Sequence, residues 1–434
     1  MDDITHRRVL RIALPIVLSN ATVPLLGAVD TGVVGQLGEA APIGAVGLGA
    51  VVLASLYWIF GFLRMGTSGL VAQSHGARDP AETGAILMRA VMIGLAAGIV
   101  LMVLQRPLFR AAFALAPASA EVEALTRLYL GLRIWGAPAT IALYAVTGWL
   151  IAVERTRAVL ALQLWMNGLN IALDFLFVIG LGWGVEGVAV ATLVAEWTGL
   201  AFGLWLCRTA FAGGQWHDWA RVLDRARLAR MMRVNGDIML RSILLQGAFT
   251  TFVFLGAGFG DVTLAANQVL LQFLEITAYG LDGFAFAAES LVGQAVGARS
   301  APSVRRAAIV ASQWGGGGSV LLGVAFWLAG PSLIDLMTTE PQVREAARHY
   351  LPWVVLAPAV GIASWMFDGI FIGATLSREM RNAMLVSVAI YVLALATLPG
   401  LLGNHGLWAA LMVLNLARGA TMALLYGRAE RAAA

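Results

Sequence analysis

The residues of this chain whose types and spacing could do chemistry are carboxylates and amides set inside long apolar runs. Asp30 lies deep in the first run, beyond Pro15 and Pro24. In the fifth run, Asn167, Asn170 and Asp174 recur at i, i+3 and i+7, which is one face of a helix, and Thr192 in the sixth run can face them. Carboxylate, amide and hydroxyl oxygens together suit a small hard cation. Two carboxylates held close also resist ionising together, so such a pair can hold a shared proton. Capping or cross-linking of helices is the alternative role for Asp30 and Asp174. The corresponding stretch of the second half, Val386 to Ala394, has neither acid nor amide, so folding needs common to both halves do not account for them.

The second half has acids of its own. Glu275, Asp282 and Glu289 recur every seven residues in the eighth run, Asp237 and Arg241 are four apart in the seventh, and Asp368 is in the tenth. Arg241 is expected to neutralise Asp237 along its own helix or one of the eighth-run acids. Structural pairing and substrate contact both stay open for this set. Glu196, in the sixth run, reads as a buried partner, and Glu289 as a solvated residue near the cytoplasmic end.

The elements that must position these groups follow from composition. Of 434 residues, 59% are hydrophobic and 12% charged, against about 25% charged in soluble domains. This is an integral membrane protein, in which a helical span needs roughly 20 apolar residues. Apolar runs fall near 9–34, 43–73, 84–105, 124–152, 158–180 and 187–207, then 233–259, 263–294, 304–330, 349–375, 382–402 and 406–427. Runs this long and continuous predict helices rather than barrel strands. The polar start, with Arg7, Arg8 and Arg11, leads into a run longer than a cleaved signal and is read as the first span. Twelve spans put both termini on one side. Segments on that side hold 20 arginines and the opposite loops six (Arg106, Arg110, Arg127, Arg133, Arg344 and Arg348), so the termini are expected in the cytoplasm.

The polar stretch 212–230 lies near the midpoint and divides a repeat. Leu70-Val71-Ala72-Gln73-Ser74-His75-Gly76-Ala77-Arg78 matches Leu291-Val292-Gly293-Gln294-Ala295-Val296-Gly297-Ala298-Arg299 at six of nine positions, offset by 221. Six spans separate the copies, so both halves start on the same side and the pseudo-two-fold runs along the membrane normal. The expected organisation is all-α: a first lobe over 1–211, a cytoplasmic linker over 212–230 and a second lobe over 231–434, each lobe with six spans. That is the architecture of an alternating-access transporter; a channel is the less favoured reading.

Other chemistries are poorly supplied. All 29 basic residues are arginine, so a P-loop lysine, a Schiff-base lysine and a Ser-Lys dyad are excluded. One cysteine, Cys207, excludes an internal disulfide and a cysteine metal cluster, and five scattered histidines suit no ordinary metal motif. Gly66-Thr67-Ser68-Gly69 matches an intramembrane serine-protease motif, but no histidine lies in mid-span to serve as base. No enzyme activity, cofactor or nucleic-acid partner is expected.

With these features the chain resembles the multidrug and toxic compound extrusion (MATE) transporters over essentially its whole length. Twelve spans in two parallel lobes, the Gly-Ala-Arg after spans two and eight, and Asp30 with Asn170 and Asp174 carry the likeness. Leu281-Asp282-Gly283-Phe284-Ala285-Phe286-Ala287-Ala288-Glu289, Asp368-Gly369-Ile370-Phe371-Ile372-Gly373-Ala374 and Met380-Arg381-Asn382 are similar to the DinF branch. The resemblance implies export of bulky, often lipophilic and cationic drugs from a bacterial cell across its inner membrane, in exchange for H+ or Na+. It implies a cation site of Asp30, Asn170, Asp174 and Thr192 with a backbone carbonyl near Val188, and a first helix bent at Pro15. The protein is separately expected to act as a monomer. The NorM branch has a second-lobe sodium site with acids in spans seven and ten; Asp237 and Asp368 occupy those spans within DinF-type motifs, so that site is not carried over. The rival readings are a flippase for lipid-linked saccharides, which calls for a strongly cationic cavity, and a membrane-embedded enzyme.

Overall fold

A computed structural model describes residues 3–36, 39–115, 118–212 and 215–434, so positions 213 and 214 of the connector lie outside the described residues. Helices make up the fold, and no strand occurs among the described residues. Among the described residues, eleven helices are long and apolar enough to cross a membrane. They are spans two to twelve: Ala40–Gly76, Pro80–Val103, Ala120–Ala152, Thr156–Gly180, Gly184–Leu206, Arg225–Ala257, Asp261–Gly297, Ala301–Met337, Pro341–Gly373, Ser377–Leu402 and Asn404–Arg431.

The first span is two shorter helices, His6–Ala21 and Val23–Gly35. Proline lacks the amide hydrogen that continues a helix and its ring clashes with the turn before it. Pro24, in the first turn of the second piece, places the interruption at Thr22. Pro15 stays inside the first piece. The Thr22 hydroxyl donates to the Ser19 carbonyl at 2.7 Å, which satisfies one acceptor freed by the break.

The chain forms two compact units. One comprises Leu18–Val71 and Asp79–Met231 and holds spans three to six with most of span two. Its helices approach through small residues, as membrane helices do where packing replaces hydrophobic drive. Gly94 abuts the Ala142 backbone, Gly98 that of Pro138 and Gly148 that of Arg64, so a β-carbon at any of them would collide with main chain. The connector is tied down by Arg89, which donates to the Val222 and Arg221 carbonyls, both at 2.8 Å, and pairs with Glu82 at 2.8 Å.

The other unit comprises Met1–Val17, Ala72–Arg78 and Met232–Ala434. Phe252, Phe273, Phe326, Tyr391 and Trp408 are the large side chains of its core. Spans eight and ten meet at Gly369 against Ala285 and at Gly373 against Glu289 and Gly293. The two copies of the repeated motif pack on one another here: Gly76 abuts the Gln294 backbone and Gly297 that of Gln73. Gln73 Nε2 donates to the Gly373 carbonyl at 3.0 Å. Each copy then leaves its helix through an arginine in the left-handed region, Arg78 at φ 57° and Arg299 at φ 54°.

Three charged residues differ from expectation. Arg133, counted above with the outer loops although it falls inside the 124–152 run, is buried within the fourth span, where Glu196 of the sixth span pairs with it. Glu289 is completely buried rather than solvated, since it lies where spans eight and ten close on glycines. Arg241 pairs with neither Asp237 nor an eighth-run acid; its partner is Asp368.

Candidate functional site: an acid cluster in one unit and an arginine cluster in the other

The first cluster is built on three helices of one unit. Asp30 comes from Val23–Gly35, Asn167, Asn170 and Asp174 from the fifth span, and Val188 and Thr192 from the sixth. The break in span one is held from span five. Asn167 Nδ2 donates to Thr22 Oγ1 at 2.9 Å and to the Thr22 carbonyl at 3.3 Å, and Gln163 fixes the same amide by donating to Asn167 Oδ1 at 2.9 Å. One face of span five thus caps the interruption and, one and two turns on, addresses the acid that follows it.

Asn170 sits between the two carboxylates. An amide's orientation is set by its neighbours. With the nitrogen turned towards the acids, it donates to Asp30 Oδ1 and Asp174 Oδ2, both at 3.2 Å, while its oxygen accepts from Thr192 Oγ1 at 3.1 Å and Thr192 N at 3.2 Å. The Thr192 hydroxyl has a single hydrogen, which goes either to that oxygen or to the Val188 carbonyl at 3.0 Å. The two carboxylates thus face each other across the Asn170 amide. Asp174 is completely buried and its Oδ1 has no hydrogen-bond partner. Immediately after Asp174 the helix widens into a π-helical stretch, Phe175–Gly180, a distortion frequent at functional sites.

A buried ion pair stands beside this cluster. Arg133 grips Glu196 in two parallel bonds of 2.7 and 2.9 Å. Its guanidinium is close enough to act electrostatically on both Asp30 and Asp174. Tyr129 packs alongside, in space that Gly49 leaves by having no side chain. Sequence reasoning identified Glu196 as a buried partner but missed its arginine.

The second cluster lies wholly within the other unit. Asp368 Oδ2, on span ten, accepts from Arg418 Nη2 of span twelve at 2.8 Å and also from Arg241 Nη2 of span seven. Arg418 further donates to Asn415 Oδ1 at 3.1 Å. The Nε atoms of both arginines are buried without a partner. Asp237 belongs to a separate group, taken by Arg381 at 2.6 Å and the Ser377 hydroxyl at 2.9 Å. The carboxylates of spans seven and ten are thus both engaged by arginine. Asp282 is half-buried and partnered, and Glu275 is exposed on span eight.

No group of three or more histidine, cysteine or acidic residues placed to hold a metal ion occurs among the described residues. Thr67 and Ser68 of the protease-like motif are buried with unpartnered hydroxyls, and a serine without a base is no nucleophile.

The chain is similar to known proteins over most of its length. The MatE family model matches residues 15–176 and 238–398, one stretch in each half. The chain is 40% identical over 418 residues to DNA damage-inducible protein F (DinF) of Escherichia coli K12, covering 96% of this chain and 91% of that protein. It is 27% identical to a probable multidrug resistance protein, NorM, of Pseudomonas aeruginosa, over 93% of this chain and 84% of that one. The Vibrio cholerae MATE transporter VcmN in its bent form superposes with a TM-score of 0.87 at 21% identity, covering 99% of this chain and 97% of that one, which establishes the two-lobe, twelve-span fold. Transporters, not enzymes, share this sequence and architecture, and the chain belongs to the MATE family as a DinF-like member.

Proposed function

We propose that this protein is a secondary active exporter that moves lipophilic compounds, cationic ones included, outward in exchange for H+ or Na+. The observation that carries the reading is Asp174: a completely buried carboxylate with an unpartnered oxygen, facing a second carboxylate across one amide. A buried acid inside a membrane protein needs a partner, a proton or a transport role. A proton shared by Asp30 and Asp174 satisfies the orphaned oxygen. So does a small cation, provided the Asn170 amide turns its oxygen inward to join the carboxylates and Thr192. Either ion neutralises the cluster and weakens its hold on a cationic drug, so ion and drug compete through the same charges. Each ligand must favour one conformation for that competition to drive transport. Repacking of span one has a ready place to occur, because the helix is already interrupted at Thr22. We further propose that the protein works as a monomer in the bacterial inner membrane, both termini cytoplasmic, without a resident cofactor.

The test is dye efflux in proteoliposomes under an imposed pH gradient without sodium, comparing wild type with Asp30→Asn. Transport by wild type alone is expected. Equal transport by both, with unchanged pH dependence, overturns the assignment of coupling to this cluster.

A further inference from the structure

The arginine cluster of the second unit carries a charge that the coupling mechanism leaves unused. Arg241 and Arg418 share a single carboxylate oxygen, Asp368 Oδ2. Both side chains are 6% exposed and Asp368 is 15% exposed. Guanidinium stays charged in proteins and presents five N–H donors in a fixed fork. Two such forks on one carboxylate leave one positive charge in excess, and both Nε–H groups unmatched. The other group bonded to Arg418 is the neutral Asn415. Asp237 does not offset the excess, because Arg381 takes it, and Glu275 is exposed. Ionisable groups within membrane spans are costly and mark pathways for ions or substrates. Guanidinium pairs match planar or tetrahedral oxyanions.

We propose that Arg241 and Arg418 form an anion-binding subsite that takes the carboxylate, sulfonate or phosphate of an amphiphilic substrate, with Asp368 holding the place of that group when substrate is absent. Arrival of the substrate anion restores one acceptor to each guanidinium. This rests on the exporter reading and narrows its substrate class: the preferred compounds carry an acidic group on a lipophilic body, as zwitterions or anions.

The test is equilibrium binding to the purified full-length protein in nanodiscs, without any ion gradient, so that a failure of proton coupling leaves it untouched. The probes are rhodamine 6G, a cationic ester, and its de-esterified free acid, which differ only at the carboxyl group. Wild type is expected to bind the free acid about tenfold more tightly than the ester, the scale of one charge-assisted hydrogen bond. Arg418→Gln leaves a neutral Arg241–Asp368 pair and is expected to bring the ratio close to one while ester binding is kept. Asp368→Asn is expected to raise the ratio. Arg241→Gln serves in place of Arg418→Gln if that variant does not fold. A wild-type ratio near one, or a preference that survives loss of either arginine, overturns the subsite.

Discussion

The acid cluster and the arginine cluster occupy the two units of a duplicated fold, yet their charge excess has opposite sign. Around Asn170 there are three carboxylates, Asp30, Asp174 and Glu196, and one guanidinium, Arg133. Around Asp368 there are two guanidiniums and one carboxylate. Duplication reproduced the backbone closely enough for the two Gln-x-x-Gly motifs to pack on one another, but it did not carry the ionisable groups along. The backbone framework and the charge sites therefore answer to different demands. Within the acid cluster the roles divide again. Arg133 and Glu196 match charge for charge, whereas Asp30 and Asp174 do not.

The largest effect should separate those two roles. Glu196→Gln takes from the buried Arg133 the carboxylate bonded to it, and breaking a buried pair in this way costs about 3–5 kcal/mol. The melting temperature in detergent should fall steeply, and a second substitution, Arg133→Met, should recover most of it. Failure of the second change to rescue the first would mean that Arg133 is held chiefly by Asp30 and Asp174, and the pair would have to be counted as part of the coupling site.

The same logic applied across the units predicts opposite responses to one chemical change. Asp368→Asn strips two guanidiniums of their shared acceptor charge and should destabilise the fold by about 3 kcal/mol. Asp174→Asn removes one of two adjoining acids and leaves an amide able to bond to Asp30, so its cost should stay within about 1 kcal/mol. Thermal melts of the two variants side by side decide this. A larger loss for Asp174→Asn would show Asp174 to be structural.

These contrasts also mark what was legible in the sequence. The spans follow from uninterrupted apolar length, and the Asn167–Asn170–Asp174 ladder from helical spacing alone, because both are local properties. Partner choice is not local. Arg241 reaches span ten rather than Asp237 on its own helix, and Arg133 meets Glu196 sixty-three residues away; helix rotation and neighbour order fix both, and no spacing rule encodes them. Arg418 gave no signal beyond being a charge in an apolar run. The π-helical stretch after Asp174 had none either, since Phe175–Gly180 reads as ordinary apolar sequence. Attention to Pro24, rather than Pro15, would have located the break in span one.

The repeated motif supplies a prediction of intermediate size. Gly76 and Gly297 each press on the backbone of the other copy's glutamine. Gly76→Ala and Gly297→Ala should each cost about 1–3 kcal/mol, because main chain cannot step aside as a flexible side chain can. Symmetric packing further predicts that the two losses are alike and, being at adjoining contacts, not additive. Thermal melts of both single variants and the double variant test this. A silent variant at one of the two positions would show that the pseudo-symmetry is one of fold but not of energetics.

The smallest effect concerns how the broken span is held. Asn167 is two helical turns from Asp174, and its amide bonds to Thr22, at the interruption. Asn167→Ala removes two hydrogen bonds from one acceptor residue and should cost only about 1 kcal/mol of stability. Its effect on transport should be larger than that loss implies, because the interruption loses its tether while Asp30 and Asp174 remain chemically intact. Hydrogen exchange across Val23–Gly35 should speed up, with exchange in the sixth span unchanged. Unaltered exchange in Val23–Gly35 would show that Pro24 alone defines the break, and that span five recognises it without holding it.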